Sequence, residues 1–305
     1  MTLQQLKYVI EVARSQSINK AAQRLFISQP SLSNALKELE EELGIKIFLR
    51  SNKGIIITSE GSEFLGYARQ VVEQAELLES RYTNTTSPQK FFGVSAQHYA
   101  FAVSAFVRLL KDYDIEKYEF SLRETKTYEI IEDVKNLRSE IGILYVNEFN
   151  KKVISKFLGE GNLQFHELFT AKPHIFISSA NPLSKKEYVT LSDLDPYPYL
   201  SYEQGDYNSF YFSEEILSTL SRPKNIKVTD RATLFNLLIG LNGYTISTGV
   251  ISHKLNSKDI IAVPLKVDEQ IHVGYITHKN VTNSTMANTY IQYLKESVEQ
   301  EIVQL

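Results

Sequence analysis

"INKAAQRLFISQPSLSNALKELEEELG", residues 18–44, sets two short runs of apolar periodicity either side of a four-residue interruption, Phe26 to Gln29. Ser17 offers an N-cap for the first run, whose buried side is Ala21, Ala22 and Leu25; a Ser oxygen can accept one of the N–H groups that a helix start leaves unpaired. The small alanines let another helix approach closely. Ser28 offers the next cap, and Pro30 falls in a first turn, where its missing N–H had no intrahelical partner to lose. At 100° per residue, the helix that follows gathers Leu32, Ala35, Leu36, Leu39 and Leu43 on one side.

Its opposite side is divided. Gln29, Pro30, Ser33, Asn34 and Lys37 make an uncharged-to-basic set in the first half, whereas Glu38, Glu40, Glu41 and Glu42 crowd the second. A polyanion can approach only the first half. Gln and Asn can bond bidentately to adenine, Ser to base or phosphate, and a Pro ring can touch a thymine methyl group in the major groove. Double-stranded DNA is the partner these residues suit.

Outward from this stretch the pattern continues. Leu3, Leu6, Ile10 and Ala13 lie on one face of an earlier helix. After Gly44, "IKIFLRSNKGIIITSEG" holds two alternating apolar runs about a Ser-Asn-Lys-Gly turn, which predicts a two-stranded wing. Arg50 and Lys53 then sit at or beside its tip, within reach of phosphates or a minor groove. Residues 1–58 hold eight Lys and Arg against five Glu, a balance of +3, which leaves −6 of the overall −3 for the remainder. The basic excess is at the front.

"INKAAQRLFISQPSLSNALKELEEELGIKIFLRSNKGIIITSEG" resembles the winged helix-turn-helix of LysR-type transcriptional regulators, through Ala21-Ala22, the run Ser28 to Ser33, Leu39-Glu40, Leu43-Gly44, Phe48 and Arg50. One departure is Asn34, where members often carry Arg. The resemblance implies that one helix braces and the other reads DNA, with residues 1–58 as the DNA-binding domain.

Thr58 predicts the cap of a long helix in which Phe64, Ala68, Val71, Ala75, Leu78 and Tyr82 recur at heptad spacing. Such a seam asks for a partner, so a homodimer is expected, reading two half-sites about one DNA turn, or a multiple of it, apart; pairing of dimers into a tetramer is expected as well. Residues 59–90 are read as this dimerising helix and a hinge, "TNTTSPQK" being the polar linker.

Residues 91–305 alternate strand-like and helix-like segments in an α/β pattern with largely parallel sheets, in two similar lobes. "NSFYFSEEILSTL", residues 208–220, reads as one of the helices. The Gly-containing stretches "IGLNGYTISTG" and "FLGEGNLQ" lack the spacing and the Lys of a phosphate loop and read as turns. This region resembles the effector-binding domain of the same family, a two-lobed fold like that of periplasmic solute-binding proteins (type 2). The resemblance implies lobe I over 91–162 and 268–305, with lobe II over 163–267.

Ligands of open α/β sheets bind beyond the carboxyl ends of the strands. Ser95, Ala96, Gln97 and His98 come first, at a helix start suited to a carboxylate. Thr125 and Tyr145 follow in lobe I, and Tyr202, Gln204, Gly205 and Asn208 lie at the corresponding end of lobe II. Hydroxyls, amides and aromatic faces without an Arg cluster suit a small polar or anionic metabolite. The stretches "SAQHYAF", "SYEQG", "FYFSEE" and "DRATLFNLLIGL" resemble a low-GC Gram-positive subgroup governing sulfur amino-acid supply, which implies a precursor such as O-acetylserine as the signal.

Composition bounds the alternatives. The 305 residues, 43% hydrophobic and 23% charged, suit about two or three soluble domains. With no Cys, disulfides and thiolate sites are excluded, and the six His stand singly, so neither metal nor cofactor is expected. The opening "MTLQQLKYVIEVARSQS" has no basic stretch before an apolar run, and no segment reaches the ~18 apolar residues of a membrane span, so a cytoplasmic location without membrane contact is expected. An enzyme fused to a DNA-binding module, or a transporter's solute-binding component, would also have two lobes. The missing export signal counts against the second, and the missing catalytic constellation against the first.

Overall fold

Both serines of the opening stretch become helix caps. In the computed structural model, which describes residues 1–51, 54–83, 90–113, 118–207, 209–251 and 259–302, Ser17 accepts the N–H of Lys20 and Ser28 that of Ser31. They start α2 (Ile18–Arg24) and α3 (Gln29–Leu43), which follow α1 (Leu3–Ser15). The chain separates into two compact units, residues 1–89 and 90–305.

In the first unit, Ala21 and Ala22 of α2 and Leu32, Leu36 and Leu39 of α3 close a core with Val9, Val12 and Ala13 of α1. A strand pair follows, β1 (Phe48–Ser51) antiparallel to β2 (Gly54–Ile57), with Phe48 opposite Ile57. Glu40 of α3 mounts this pair: its Oε1 accepts the N–H groups of Ile47 and Phe48 at 2.9 and 3.0 Å, and its Oε2 takes Lys46 at 2.9 Å. The last helix, α4 (Ser59–Thr83), starts where the Thr58 hydroxyl accepts the Gly61 N–H at 2.8 Å. Gly61 is needed there because a Cβ would lie 2.2 Å from the carbonyl oxygen of Ile47.

The face of α4 is shared differently from the heptad reading. Phe64, Leu65, Ala68 and Val72 turn inward, and Ala68 and Val72 pack with Leu6, Leu3 and Ile10 of α1. Val71 and Leu78 are left 50% and 58% exposed, and Tyr67 is exposed beside them. The first members of the expected seam are therefore used within the unit. Residues 84–89, most of the expected linker, and the Tyr82 side chain lie outside the described residues.

The second unit contains β3 (Lys90–Ala96), α5 (Ala100–Asp112), β4 (Tyr118–Glu124), α6 (Thr127–Lys135), β5 (Ile141–Val146), α7 (Lys151–Glu160) and β6 (Leu163–Ala171). It continues through β7 (His174–Ser178), α8 (Leu191–Leu194), β8 (Tyr199–Tyr202), β9 (Asn225–Val228), α9 (Arg231–Leu241), β10 (Tyr244–Ser247) and β11 (Ile260–Pro264), and returns in β12 (Ile271–His278) and α10 (Thr285–Ile302). Two five-stranded sheets result, in the orders β4-β3-β5-β12-β6 and β11-β7-β10-β8-β9. Each is mixed: β3, β4 and β5 run parallel while β12 opposes β5 and β6, and β8, β9 and β10 run parallel while β7 opposes β10 and β11.

Three expectations are corrected. The second lobe does not begin at residue 163, because β6 pairs with β12 from Leu163 opposite His278 to Ala171 opposite Ile271; the chain crosses after Ala171. Residues 208–220 do not form a helix: among the described residues only a 3-10 turn at Phe210–Phe212 is regular, and Leu217 takes φ +57. "FLGEGNLQ" and "IGLNGYTISTG" are turns only at their centres, Gly161-Asn162 and Asn242-Gly243, with helix before and strand after. Among the described residues, no helix is long and apolar enough to cross a membrane, and no three His, Asp or Glu side chains are grouped to hold a metal ion.

Candidate functional site

Two surfaces carry the candidate residues, one in each unit. In the first, α3 buries Leu32, Leu36 and Leu39, so its outer face is fixed by the same periodicity. Pro30, Asn34 and Lys37 are exposed, and Gln29 and Ser33 are half-buried beside them. The Gln29 amide donates to the Ser33 hydroxyl at 2.6 Å, which orients the amide, while Lys37 sits 3.6 Å from Glu41 on the next turn. Phe26, in the turn before α3, takes φ +54 and is 96% exposed. Lys53 and the Arg50 side chain lie outside the described residues.

In the second unit, the carboxyl ends of β3, β4, β8, β9 and β10 face one cleft between the lobes. His98, just after β3, stacks on Tyr202 at the end of β8 with ring centroids 3.7 Å apart. Its Nδ1 meets Glu214 Oε2 at 2.8 Å, and its backbone N–H donates to the same oxygen at 3.1 Å. Both side chains are nearly enclosed, 5% and 6% exposed. Burial disfavours the charged imidazole, but the Glu214 carboxylate outweighs it and holds the His98 pKa above its ordinary value. Glu215, wholly buried with one oxygen taking the Tyr202 N–H at 2.9 Å, is pushed well above the carboxylate range by burial and then by Glu214. Arg231, at the start of α9, places Nη2 2.9 Å from Glu124 Oε1; burial raises Glu124 against that cation.

The remaining predicted residues divide. Gln97 is buried with both ends of its amide engaged: Nε2 donates to the Thr127 hydroxyl at 2.6 Å, and Oε1 accepts from the Tyr99 hydroxyl and the Tyr145 N–H at 3.0 Å each. Gln204 crosses from lobe II, accepting the Thr127 N–H at 3.1 Å and donating to Glu214 at 3.4 Å. The Tyr145 hydroxyl donates to the Ser213 carbonyl at 3.0 Å. Gly205 adopts φ +62 beside Lys126. Ala96 gives its carbonyl to the Thr125 N–H, and the Thr125 hydroxyl turns to Glu129. Ser95 does not join this group: its buried hydroxyl donates to Asp133 at 2.7 Å and meets Ser139 at 2.9 Å, behind the sheet. Asn208 lies outside the described residues. Sequence reasoning missed Glu214, Glu215, Glu124 and Arg231. The adjacent acids in the apolar "FYFSEEIL" were the available signal.

The cleft retains a cavity of about 40 Å³, lined by His98, Tyr202, Glu214, Arg231, Phe235 and Ser247 among others. A larger hollow of about 650 Å³ lies along β4 and α6. It is open, and its arginines, Arg123 and Arg138, both pair with Asp133, so the chemistry converges in the smaller one.

Comparison with known proteins decides the family. Residues 3–62 match "Bacterial regulatory helix-turn-helix protein, lysR family", and residues 99–299 match "LysR substrate binding domain". The chain belongs to the LysR family of bacterial transcriptional regulators. This LysR chain is 42% identical over 81 residues to the HTH-type transcriptional regulator YkuM of Bacillus subtilis, a match spanning 26% of the chain and 28% of that protein. It is 26% identical over 247 residues to AlsR of the same organism, covering 79% of the chain and 77% of that relative. Among solved structures, CbnR in complex with its target DNA has a TM-score of 0.54 at 18% identity, covering 97% and 100% of the two chains. A Corynebacterium glutamicum OxyR C206 mutant gives 0.54 at 18%, covering 99% and 93%. The matched helix-turn-helix family, YkuM and AlsR are named as transcriptional regulators, not enzymes. None of these names points to sulfur amino-acid supply.

Proposed function

We infer that the protein is a cytoplasmic transcriptional regulator that reads promoter DNA through α3 and the wing, and that a small polar or anionic metabolite in the inter-lobe cleft changes that binding. The observation that carries the reading is the outer face of α3: Pro30, Asn34 and Lys37 stand open, Gln29 is oriented by Ser33, and the acidic residues lie in the helix's second half. Base edges can be read by such a set, and Arg50 and Lys53 are the residue types that take phosphates. The exposed stripe of Tyr67, Val71 and Leu78 supports a homodimer, with pairing of dimers as its extension. O-acetylserine, implied by the sequence resemblance to the sulfur amino-acid subgroup, is one metabolite to test among other small acids.

The experiment is selection of bound duplexes from a random pool by the full chain, followed by footprinting with and without a panel of small acids and amino acids. Recovery of a palindromic site whose protection responds to one metabolite is expected. Recovery of no sequence preference would end the reading.

A further inference from the structure

The two lobe I helices that face the cleft start without side-chain caps of their own. Tyr99 and Lys126 occupy their N-cap positions and make no side-chain cap bond. Lobe II closes over both starts. The Glu214 carboxylate takes the His98 N–H just ahead of α5, together with the His98 ring, and the Gln204 carbonyl takes the Thr127 N–H of α6. A carboxylate held by a backbone N–H and an imidazole is the arrangement expected of a bound anion. Here that anion belongs to the protein.

Glu214 reaches this place on a strap that lobe I holds. Tyr207 stacks on Tyr128 at 3.6 Å between centroids, Tyr211 stacks on Phe149 at 4.7 Å, and Phe212 is buried among Ile130, Ile154 and Leu158 of lobe I. The Tyr145 hydroxyl ties down the Ser213 carbonyl one residue before Glu214. Tyr211 and Phe212, part of the stretch that looked helical, are spent on these contacts.

The space left over decides between addition and replacement. About 40 Å³ holds roughly one water molecule, whereas small-molecule sites run to about 300–1,000 Å³. A metabolite does not fit beside Glu214 in this arrangement of the cleft. The same cavity is lined by Arg231, whose Nη1 is buried and, among the described residues, without a hydrogen-bond partner. With Glu214 withdrawn, the wall presents the His98 N–H, the His98 imidazole and this guanidinium, opposed by Glu124, while buried Glu215 favours its neutral form.

We propose that Glu214 is an internal ligand of the cleft, occupying the position of an effector's carboxylate, and that a carboxylate-bearing effector acts by displacing it and freeing the strap. This rests on the cleft being the effector site. The free energy of exchange is then what separates the two states of the domain, since a ligand shifts an equilibrium only by its differential affinity. An effector lacking an anionic group has nothing with which to replace Glu214.

The test is chemical rescue in the full chain, with acetate as the probe and chloride at equal concentration as the control. Acetate should leave wild-type melting unchanged, raise the melting temperature of Glu214→Ala in a saturable way, and lose that effect in Glu214→Ala/His98→Ala. Should Glu214→Ala fail to fold, Glu214→Gln keeps the shape and weakens the charge-assisted bonds; acetate should then bind at least tenfold more tightly than to wild type by competition calorimetry. No acetate effect beyond that in wild type overturns the proposal. So does a metabolite that binds wild type and Glu214→Gln equally, in which case the effector cleft itself stands. Acetate rescue with no metabolite altering DNA binding supports the internal ligand and removes the effector reading instead.

Discussion

His98 and Tyr202 stack face to face across the cleft, their planes 4° from parallel, and this contact between the lobes lies beside the His98–Glu214 ion pair. Because the His98 pKa is raised in the fold, the pair's stabilisation is fully present below the unfolded value of 6.5 and is lost as pH rises through the raised one. Glu215 and Glu124, raised by burial, act in the same direction. His166 and His174 are lowered by burial and oppose it, so a difference measurement is needed. Urea unfolding of wild type and Glu214→Gln should differ by about 1.5–3 kcal/mol near pH 6, and the difference should fall by at least about half near pH 9. A constant gap would show that the imidazole is not charged.

One carboxylate takes two backbone donors at the base of the wing. Glu40 accepts two backbone N–H groups, and although burial opposes its charge, Phe48, Lys46 and Ile47 together hold its pKa below the ordinary value. Glu40→Ala leaves Ile47 and Phe48 with unpaired donors and should cost the first unit about 1–3 kcal/mol. Hydrogen exchange at those two amides should quicken before the rest of the unit. Unchanged protection would mean that water replaces the carboxylate without cost.

What could be read in advance followed the range of the interactions. Ser17 and Ser28 cap helices three residues away, and Leu32, Leu36 and Leu39 share a period, so the DNA-binding unit was legible. Val9 and Val12 escaped the reading because α1 has two buried sides, one against α2 and α3 and one against α4. His98 and Glu214 meet across 116 positions, and no local pattern encodes that. Ser95 ended a strand as a site residue should, but successive strand side chains alternate faces, and its hydroxyl falls on the Asp133 side.

Val71 tests the assembly. At 100° per residue, Tyr67, Val71 and Leu78 fall within about 40° of one another, away from the side that packs on α1. Val71→Asp should leave the subunit's own fold intact, since the position is half exposed, and should dissociate the oligomer, because a buried unpaired charge opposes association. Sedimentation with unchanged melting would read out both. An unchanged oligomer would place the contact elsewhere on the chain.

Gln29 tests the reading face. With its amide held by Ser33 at 2.6 Å, it is pre-oriented for a base edge. Gln29→Ala should lower affinity for the selected site by about 1–3 kcal/mol and relax preference at one position per half-site, with nonspecific binding nearly unchanged. Ser33→Ala should reproduce part of that loss by freeing the amide to rotate. Arg50→Ala should instead weaken binding to every sequence alike and reduce the salt slope by about 1 per subunit. Titrations against a panel of single-base variants at two salt concentrations separate these effects. If Gln29→Ala and Arg50→Ala give the same profile across the panel, α3 does not read bases through this face.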